Sequence, residues 1–199
     1  MARPRTIDDE ELLESLRKTF LELGASVPTT ELAARANVSE GTLFKRFGSK
    51  KSMFCRAMEP PELSGAWFDG MAEMAGTGDL AENLSVIAHG IANYVGEFIP
   101  RIFCSYGGRP DANDIRETFG GISPTYPIRQ RLARYFELET AAGRTRPLPA
   151  RHLAELLFGA INQLVVTTVL FPHEAEREGA SRERDVDELV ATFHAMVAP

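Results

Sequence analysis

Residues 28–54 read PTTELAARANVSEGTLFKRFGSKKSMF, and this segment carries the clearest structural signals of the chain. Pro28 suits the first turn of a helix, where a missing backbone amide costs nothing. Asn37 tolerates the left-handed backbone of a tight turn, and Ser39 is a good N-cap for the helix that follows. The segment therefore predicts two short helices joined by a tight turn, the second over Glu40–Phe47.

Further helices are predicted on both sides of this segment. Apolar residues recur at spacings of three and four from Ile7 to Leu23, and acidic residues fill the first turn. Gly24 is placed to end that helix. Ser49 caps another helix, which must stop or kink at Pro60-Pro61 because proline lacks the amide donor.

Helical periodicity continues to the C-terminus, and no alternating pattern indicates a strand. The fold class is therefore predicted to be all-α, with about nine helices. We expect a helical N-terminal domain over residues 1–56 and a second helical domain over residues 57–199. The predicted helices of the second domain cover 63–74, 80–99 (ending before Pro100), a short stretch of 111–119, 126–142, 150–171 and, after a charged loop at 174–184, 186–197.

The charge of the chain is unevenly distributed. The net charge is −6, yet residues 1–56 hold 10 basic and 8 acidic side chains. Residues 41–56 hold five basic side chains and no acidic one, which points to an anionic partner for this part of the chain. We find no signal peptide and no apolar, charge-free stretch of about 18 residues, so we expect a cytoplasmic protein without a membrane span.

Three short helices with a tight turn between the second and third form a helix-turn-helix arrangement, in which the third helix enters the DNA major groove. Ala33, Ala36 and Gly41 provide the small residues that the helix crossing needs. Cations on and after the third helix are placed to neutralise phosphates. Phe44 and Phe47 lie three residues apart, so one can contact the DNA backbone while the other packs in the core.

Residues 20–54, from Phe20-Leu21-Glu22-Leu23-Gly24 through Asn37-Val38-Ser39-Glu40-Gly41-Thr42-Leu43-Phe44 to Met53-Phe54, closely resemble the DNA-binding domain of the TetR family of transcriptional regulators. The resemblance implies a homodimer that binds a palindromic operator on double-stranded DNA. Beyond residue 56 it extends only to the general layout of that family, a helical domain for ligand binding and dimerisation.

The resemblance also implies roles for individual residues. Base-edge contacts would come from Gly41 and Thr42, and groove or backbone contacts from Phe44 and Lys45. Phosphate contacts would come from Thr29, Arg46 and Lys50. Thr29 could instead be a helix cap and nothing more.

Two helices of the second domain are candidates for the dimer surface. The predicted helix at 150–171 is too apolar around its circumference for one amphipathic stripe, and Gly159 and Ala160 would let a partner helix approach closely. We pair it with the helix at 126–142. The alternative is that 150–171 is the central helix of the domain core.

Aromatic and methionine side chains recur in the first half of the second domain and could line a pocket for an apolar or aromatic small molecule. They could equally form a filled core. His89, one helical turn before Asn93, could give such a pocket a polar anchor. The candidate pocket residues are Trp67, Met71, His89, Tyr94, Phe98, Phe103 and Phe119.

The favoured interpretation is a repressor that this small molecule releases from DNA, with no cofactor, no metal and no enzymatic activity. No sequence signature of a hydrolase, nucleotide-binding enzyme or metalloprotease is present, so an all-helical enzyme is a less favoured alternative. A second alternative is redox control through Cys55, which lies beside the DNA-facing cations. A third is a regulator controlled by a partner protein, and the Pro60-Pro61 break could be a hinge in any of these.

Overall fold

The computed structural model describes residues 8–105, 121–177, 179 and 181–199. All regular structure in these residues is helical, which confirms the predicted all-α class. The predicted helix at 111–119 lies outside the described residues. The contacts divide the described chain into two compact units, one of residues 8–60 and 100–105 and the other of residues 61–99 and 121–199.

The first unit contains the predicted helices. They are α1 (Asp9–Leu23), α2 (Thr29–Arg35), α3 (Glu40–Phe47) and α4 (Lys50–Ala57). Leu12, Leu16 and Phe20 of α1 are fully buried, and they pack with the apolar residues of the other three helices. Helix α1 ends at Gly24, whose φ of 80° suits glycine. Helix α4 ends before Pro60, as predicted.

The second unit begins with two one-turn helices, α5 (Ala66–Asp69) and α6 (Met71–Met74), where one helix over 63–74 was expected. That prediction is wrong because Gly70 interrupts the helix and Gly65, at φ 95°, holds the chain in a left-handed conformation before it. The unit continues with α7 (Leu80–Ser105), α8 (Tyr126–Ala141), α9 (Ala150–Leu170), α10 (Pro172–Arg177) and α11 (Arg182–Val197).

Helix α7 does not end before Pro100, as the sequence suggested, but continues through it to Ser105. Its last turn, 101–105, packs within the first unit. The Arg101 guanidinium donates a 2.8 Å hydrogen bond to the carbonyl of Glu59, and the Cys104 thiol donates one of 3.3 Å to the carbonyl of Phe20. These contacts offset the hydrogen bond that proline removes.

The charged loop expected at 174–184 is also partly helical. Helix α10 covers its first residues, and α11 begins at Arg182 rather than at Val186. The acidic side chains of Glu183 and Asp185 lie in the first turn of α11, where the helix dipole favours negative charge.

Helices α8 and α9 pack along each other, and α11 packs on α9. The apolar residues of α8 face inward, since Ile128, Leu132, Tyr135 and Phe136 are fully buried. Helix α9 is 21 residues long with a mean hydropathy of 1.7 over its most apolar window, of which 33% is buried. The expectation of no stretch long and apolar enough to cross a membrane is therefore wrong for α9.

Candidate nucleic-acid interface

The turn between α2 and α3 has the geometry that its sequence predicts. Asn37 adopts a φ of 53°, in the left-handed region that asparagine tolerates. The Val38 amide donates to the carbonyl of Ala33 at 3.0 Å, which closes the end of α2. The Ser39 hydroxyl accepts from the Thr42 amide at 3.1 Å and caps α3.

Helix α3 divides cleanly into a buried and an exposed face. Leu43 and Phe47 are buried in the cluster that α1, α2 and α4 also form, and the opposite face is exposed. Gly41 and Lys45 are exposed, and 42% of Phe44 is exposed although it is a large apolar side chain. Of the two phenylalanines, Phe47 therefore packs in the core and Phe44 is available to a ligand.

The cations of this region differ in their surroundings. Lys45, Lys50 and Lys51 make no ion pair within the described part of the chain. Arg46 is held by α1, because its Nη1 lies 2.9 Å from Oδ1 of Asp9. Arg56 stacks over the ring of Phe47 at 5.0 Å from the centroid.

Two of the hydroxyl groups expected to contact DNA have protein partners. The Thr29 hydroxyl donates to Oε2 of Glu40 at 2.5 Å, joining the first residues of α2 and α3. The hydroxyl oxygens of Ser39 and Thr42 lie 2.9 Å apart in a second hydrogen bond. The sequence gives no signal of the first pair, since the two residues are eleven positions apart and belong to different helices.

The candidate pocket residues are only partly brought together. The rings of Trp67 and Tyr94 lie 6.4 Å apart and those of Tyr94 and Phe98 lie 5.8 Å apart, and we call these three side chains the aromatic cluster. Met71 is buried in the same unit. The Nε2 of His89 donates a hydrogen bond to Oδ1 of Asp187 at 2.8 Å. Phe103, 57% exposed, belongs to the other unit, and Phe119 lies outside the described residues.

A separate cleft of about 490 Å³ was not predicted from the sequence. The Arg182 guanidinium lies against Gly96 there, and its Nε is buried without a hydrogen-bond partner among the described residues. The residues come from four helices and from Ser181, the N-cap of α11, so no local sequence pattern predicts the cleft. Its lining residues are Asn93, Thr168, Pro172, Glu176, Ser181, Arg182 and Glu183.

The two cysteines differ in exposure. Cys55 is exposed on α4, while Cys104 is half-buried, and burial raises the pKa of its thiol. Among the residues that the structure describes, no group of three or more histidine, cysteine, aspartate or glutamate side chains is arranged to hold a metal ion.

The N-terminal part of the chain matches the model of a known protein family. Residues 12–57 match the family model of the bacterial regulatory proteins of the tetR family. No curated protein matches the chain.

Several solved structures share the fold. A TetR-family transcriptional regulator from Pseudomonas syringae pv. tomato is 16% identical over 98% of both chains, with a TM-score of 0.59. NalD, the secondary repressor of the MexAB-OprM multidrug efflux pump in Pseudomonas aeruginosa, is 14% identical over 95% of both, with a TM-score of 0.59. A protein from Saccharomonospora viridis solved in complex with choline is 17% identical over 96% of this chain and 97% of its own, with a TM-score of 0.67.

Proposed function

Because the chain is a TetR-family DNA-binding transcriptional regulator, we propose that it acts as a homodimeric repressor of a palindromic operator. In this proposal a small apolar or aromatic molecule releases it from DNA. The observation that carries the proposal is the exposed face of α3 with Phe44 and Lys45, followed by Lys50, which makes no ion pair among the described residues. We also propose that the protein acts in the cytoplasm and that it has no enzymatic activity.

The DNA contacts follow from this exposed face. Gly41 and Thr42 lie in the first turn of α3, the part of a reading helix that reaches base edges. Lys45 and Lys50 would neutralise phosphates, and Arg46 would join them if a phosphate competes with Asp9 for its guanidinium. A footprint on the DNA upstream of the protein's own gene tests the assignment, and absence of protection there and at every promoter would contradict it.

A dimer is needed because a single reading helix contacts too few base pairs for useful specificity. We assign its surface to α9 and α11. Helix α9 presents a row of exposed or half-exposed residues at helical spacing, and 42% of Met196 on α11 is exposed. The row comprises Leu156, Gly159, Ala160, Gln163, Val166, Thr167 and Leu170.

The sequence predicted that the helix at 126–142 forms the dimer surface together with the helix at 150–171. In the structure, however, the exposed face of α8 is polar and is better suited to contact with water. Four of its large apolar side chains are fully buried within the unit and only Tyr126, at 44%, is strongly exposed, whereas Gln130, Arg131, Arg134 and Glu137 are exposed. Charged residues are depleted at the centre of stable interfaces. We therefore replace 126–142 by α11 in the proposed dimer.

The change Leu156→Glu tests this dimer surface. The side chain is 58% exposed in one chain, so a glutamate there leaves the fold intact but places a charge where two apolar faces would meet. We expect the variant to sediment as a monomer and to lose specific DNA binding. Val86→Glu, at a side chain that is 46% exposed on α7, is the matched control and should stay dimeric. A dimeric Leu156→Glu variant would contradict the assignment.

The aromatic cluster is the proposed effector site. Choline is bound by the Saccharomonospora viridis relative, and aromatic rings are the groups that recognise quaternary ammonium ions. Trp67 is the single tryptophan of the chain, so its fluorescence reports on the cluster directly. We expect saturable quenching by choline or by an aromatic amine, with a parallel loss of DNA affinity. Quenching without any loss of DNA affinity would leave a regulator that is not controlled by this ligand.

A further inference from the structure

The contact between Thr29 and Glu40 joins the two helices of the helix-turn-helix at their leading ends. Thr29 is the first residue of α2 and Glu40 the first of α3. Their side chains meet at 2.5 Å, with the hydroxyl as donor and Oε2 of the carboxylate as acceptor. The hydroxyl proton of Thr29 is thus already used, which leaves no hydrogen for donation to a phosphate.

The same contact leaves half of the Glu40 carboxylate available. Glu40 is half-exposed, and its Oε1 has no hydrogen-bond donor in the part of the chain that the structure describes. Glu40 directly precedes Gly41 and Thr42, on the turn of a reading helix that contacts base edges. A fixed carboxylate oxygen therefore stands at the reading end of α3.

A carboxylate only accepts hydrogen bonds. In the major groove it can accept from an exocyclic amino group, and cytosine N4 is the partner that glutamate and aspartate take. Guanine presents two acceptors at the same edge and thymine one, so both would repel the free oxygen. A phosphate would repel it as well.

We propose that Glu40 is a specificity-determining residue that selects cytosine at one position of each half-site, and that Thr29 is a positioning residue for it. The inference rests on the proposed function, since it requires α3 to lie in the major groove. It replaces the phosphate contact that the sequence resemblance implied for Thr29.

Affinity selection from a randomised double-stranded DNA library tests the inference with the full-length protein. The wild type should favour cytosine by about tenfold at one position of each half-site, the usual size of a single-base preference. Glu40→Gln should reduce that preference to about twofold or move it to adenine, which glutamine pairs with. Glu10→Gln, which removes the same charge from the first turn of α1, should select the wild-type motif.

The variants at Thr29 test its positioning role. Thr29→Val removes the donor and should weaken the cytosine preference, whereas Thr29→Ser keeps the hydroxyl and should restore it. Thermal unfolding of each variant shows that the domain is folded. The inference is overturned if Glu40→Gln selects the wild-type motif, or if it raises affinity equally for all sequences, because the carboxylate would then act only as a repulsive charge. A wild-type protein that enriches no sequence would instead overturn the proposed function itself.

Discussion

The change Gly90→Ala measures how tightly the base of the Trp67 side chain, which lines the proposed effector site, is packed against α7. A Cβ on Gly90 would lie 2.1 Å from Cγ, 2.3 Å from Cδ2 and 2.6 Å from Cβ of Trp67. Real Cβ atoms almost never come closer than 3.0 Å to another heavy atom, so the ring must shift by about 0.9 Å, the difference between 3.0 and 2.1 Å. The blocking atoms belong to the base of the side chain, and rotation of the ring alone does not move them away.

The change in the free energy of unfolding that Gly90→Ala causes is the sum of two opposed effects. Alanine in place of glycine inside a helix stabilises by about 1 kcal/mol. Overpacking of a filled site costs about 1–3 kcal/mol, and Trp67 is confined by Phe68 at 5.5 Å and by Tyr94 at 6.4 Å between ring centroids. We expect the steric cost to be greater, so Gly90→Ala should lower the free energy of unfolding by up to about 2 kcal/mol.

Urea unfolding, followed by helical circular dichroism and by the fluorescence of Trp67, measures the effect. Gly96→Ala on the same helix is the matched control. The nearest atom to a Cβ there is Nη1 of Arg182 at 2.8 Å, the far end of a flexible side chain that can move aside. That variant should be as stable as the wild type or slightly more stable. If Gly90→Ala unfolds at the same urea concentration as Gly96→Ala, the Trp67 side chain is free to move, and the argument from its close packing against Gly90 is refuted.

Three other changes give distinct readouts. Lys50→Ala should weaken binding to all DNA sequences and reduce the slope of log affinity against log salt by about 0.9, and an unchanged slope would remove Lys50 from the interface. Asn37→Val should lower the free energy of unfolding by about 1–2 kcal/mol because of its positive φ, while Asn37→Gly should not, as thermal unfolding would show. Burial, and then the Glu139 carboxylate, raise the pKa of Tyr135, so its contribution to stability is complete below the ordinary tyrosine pKa of about 10 and falls at higher pH. Tyr135→Phe should therefore lose less stability than the wild type between pH 9 and 11 in urea titrations.

The helices of the first unit could be predicted because their ends are encoded locally. Gly24, Asn37 and Ser39 each act within one turn of their own position, through backbone conformation or through a cap to a nearby amide. Pro100 is the opposite case. It reads as a helix end in the sequence, yet the contact of Arg101 with the carbonyl of Glu59, 42 residues earlier, holds the next turn in place. Such long-range contacts have no signature at the position they stabilise.

The candidate interface likewise combines features that local sequence predicts with contacts between distant residues that it does not predict. Helical spacing is sufficient to predict that Phe44 is exposed when Leu43 and Phe47 are buried. Spacing does not predict that Thr29 meets Glu40, because this depends on how α2 crosses α3. The sequence therefore predicts which residues of α3 are exposed, but it does not predict the partner of each side chain.

These partners change how the charge of the first unit should be understood. The net charge of residues 1–56 is +2, which is small for a domain proposed to bind a polyanion. Asp9 and Glu40, however, lie within hydrogen-bond distance of Arg46 and Thr29 and orient these side chains. Salt screens isolated surface charges over about 8 Å at physiological ionic strength, so phosphates respond to the nearest cations rather than to the total. The exposed lysines at 45 and 51 and the half-buried Lys50 are such cations, so the net charge of −6 does not conflict with the proposed DNA contacts of this face.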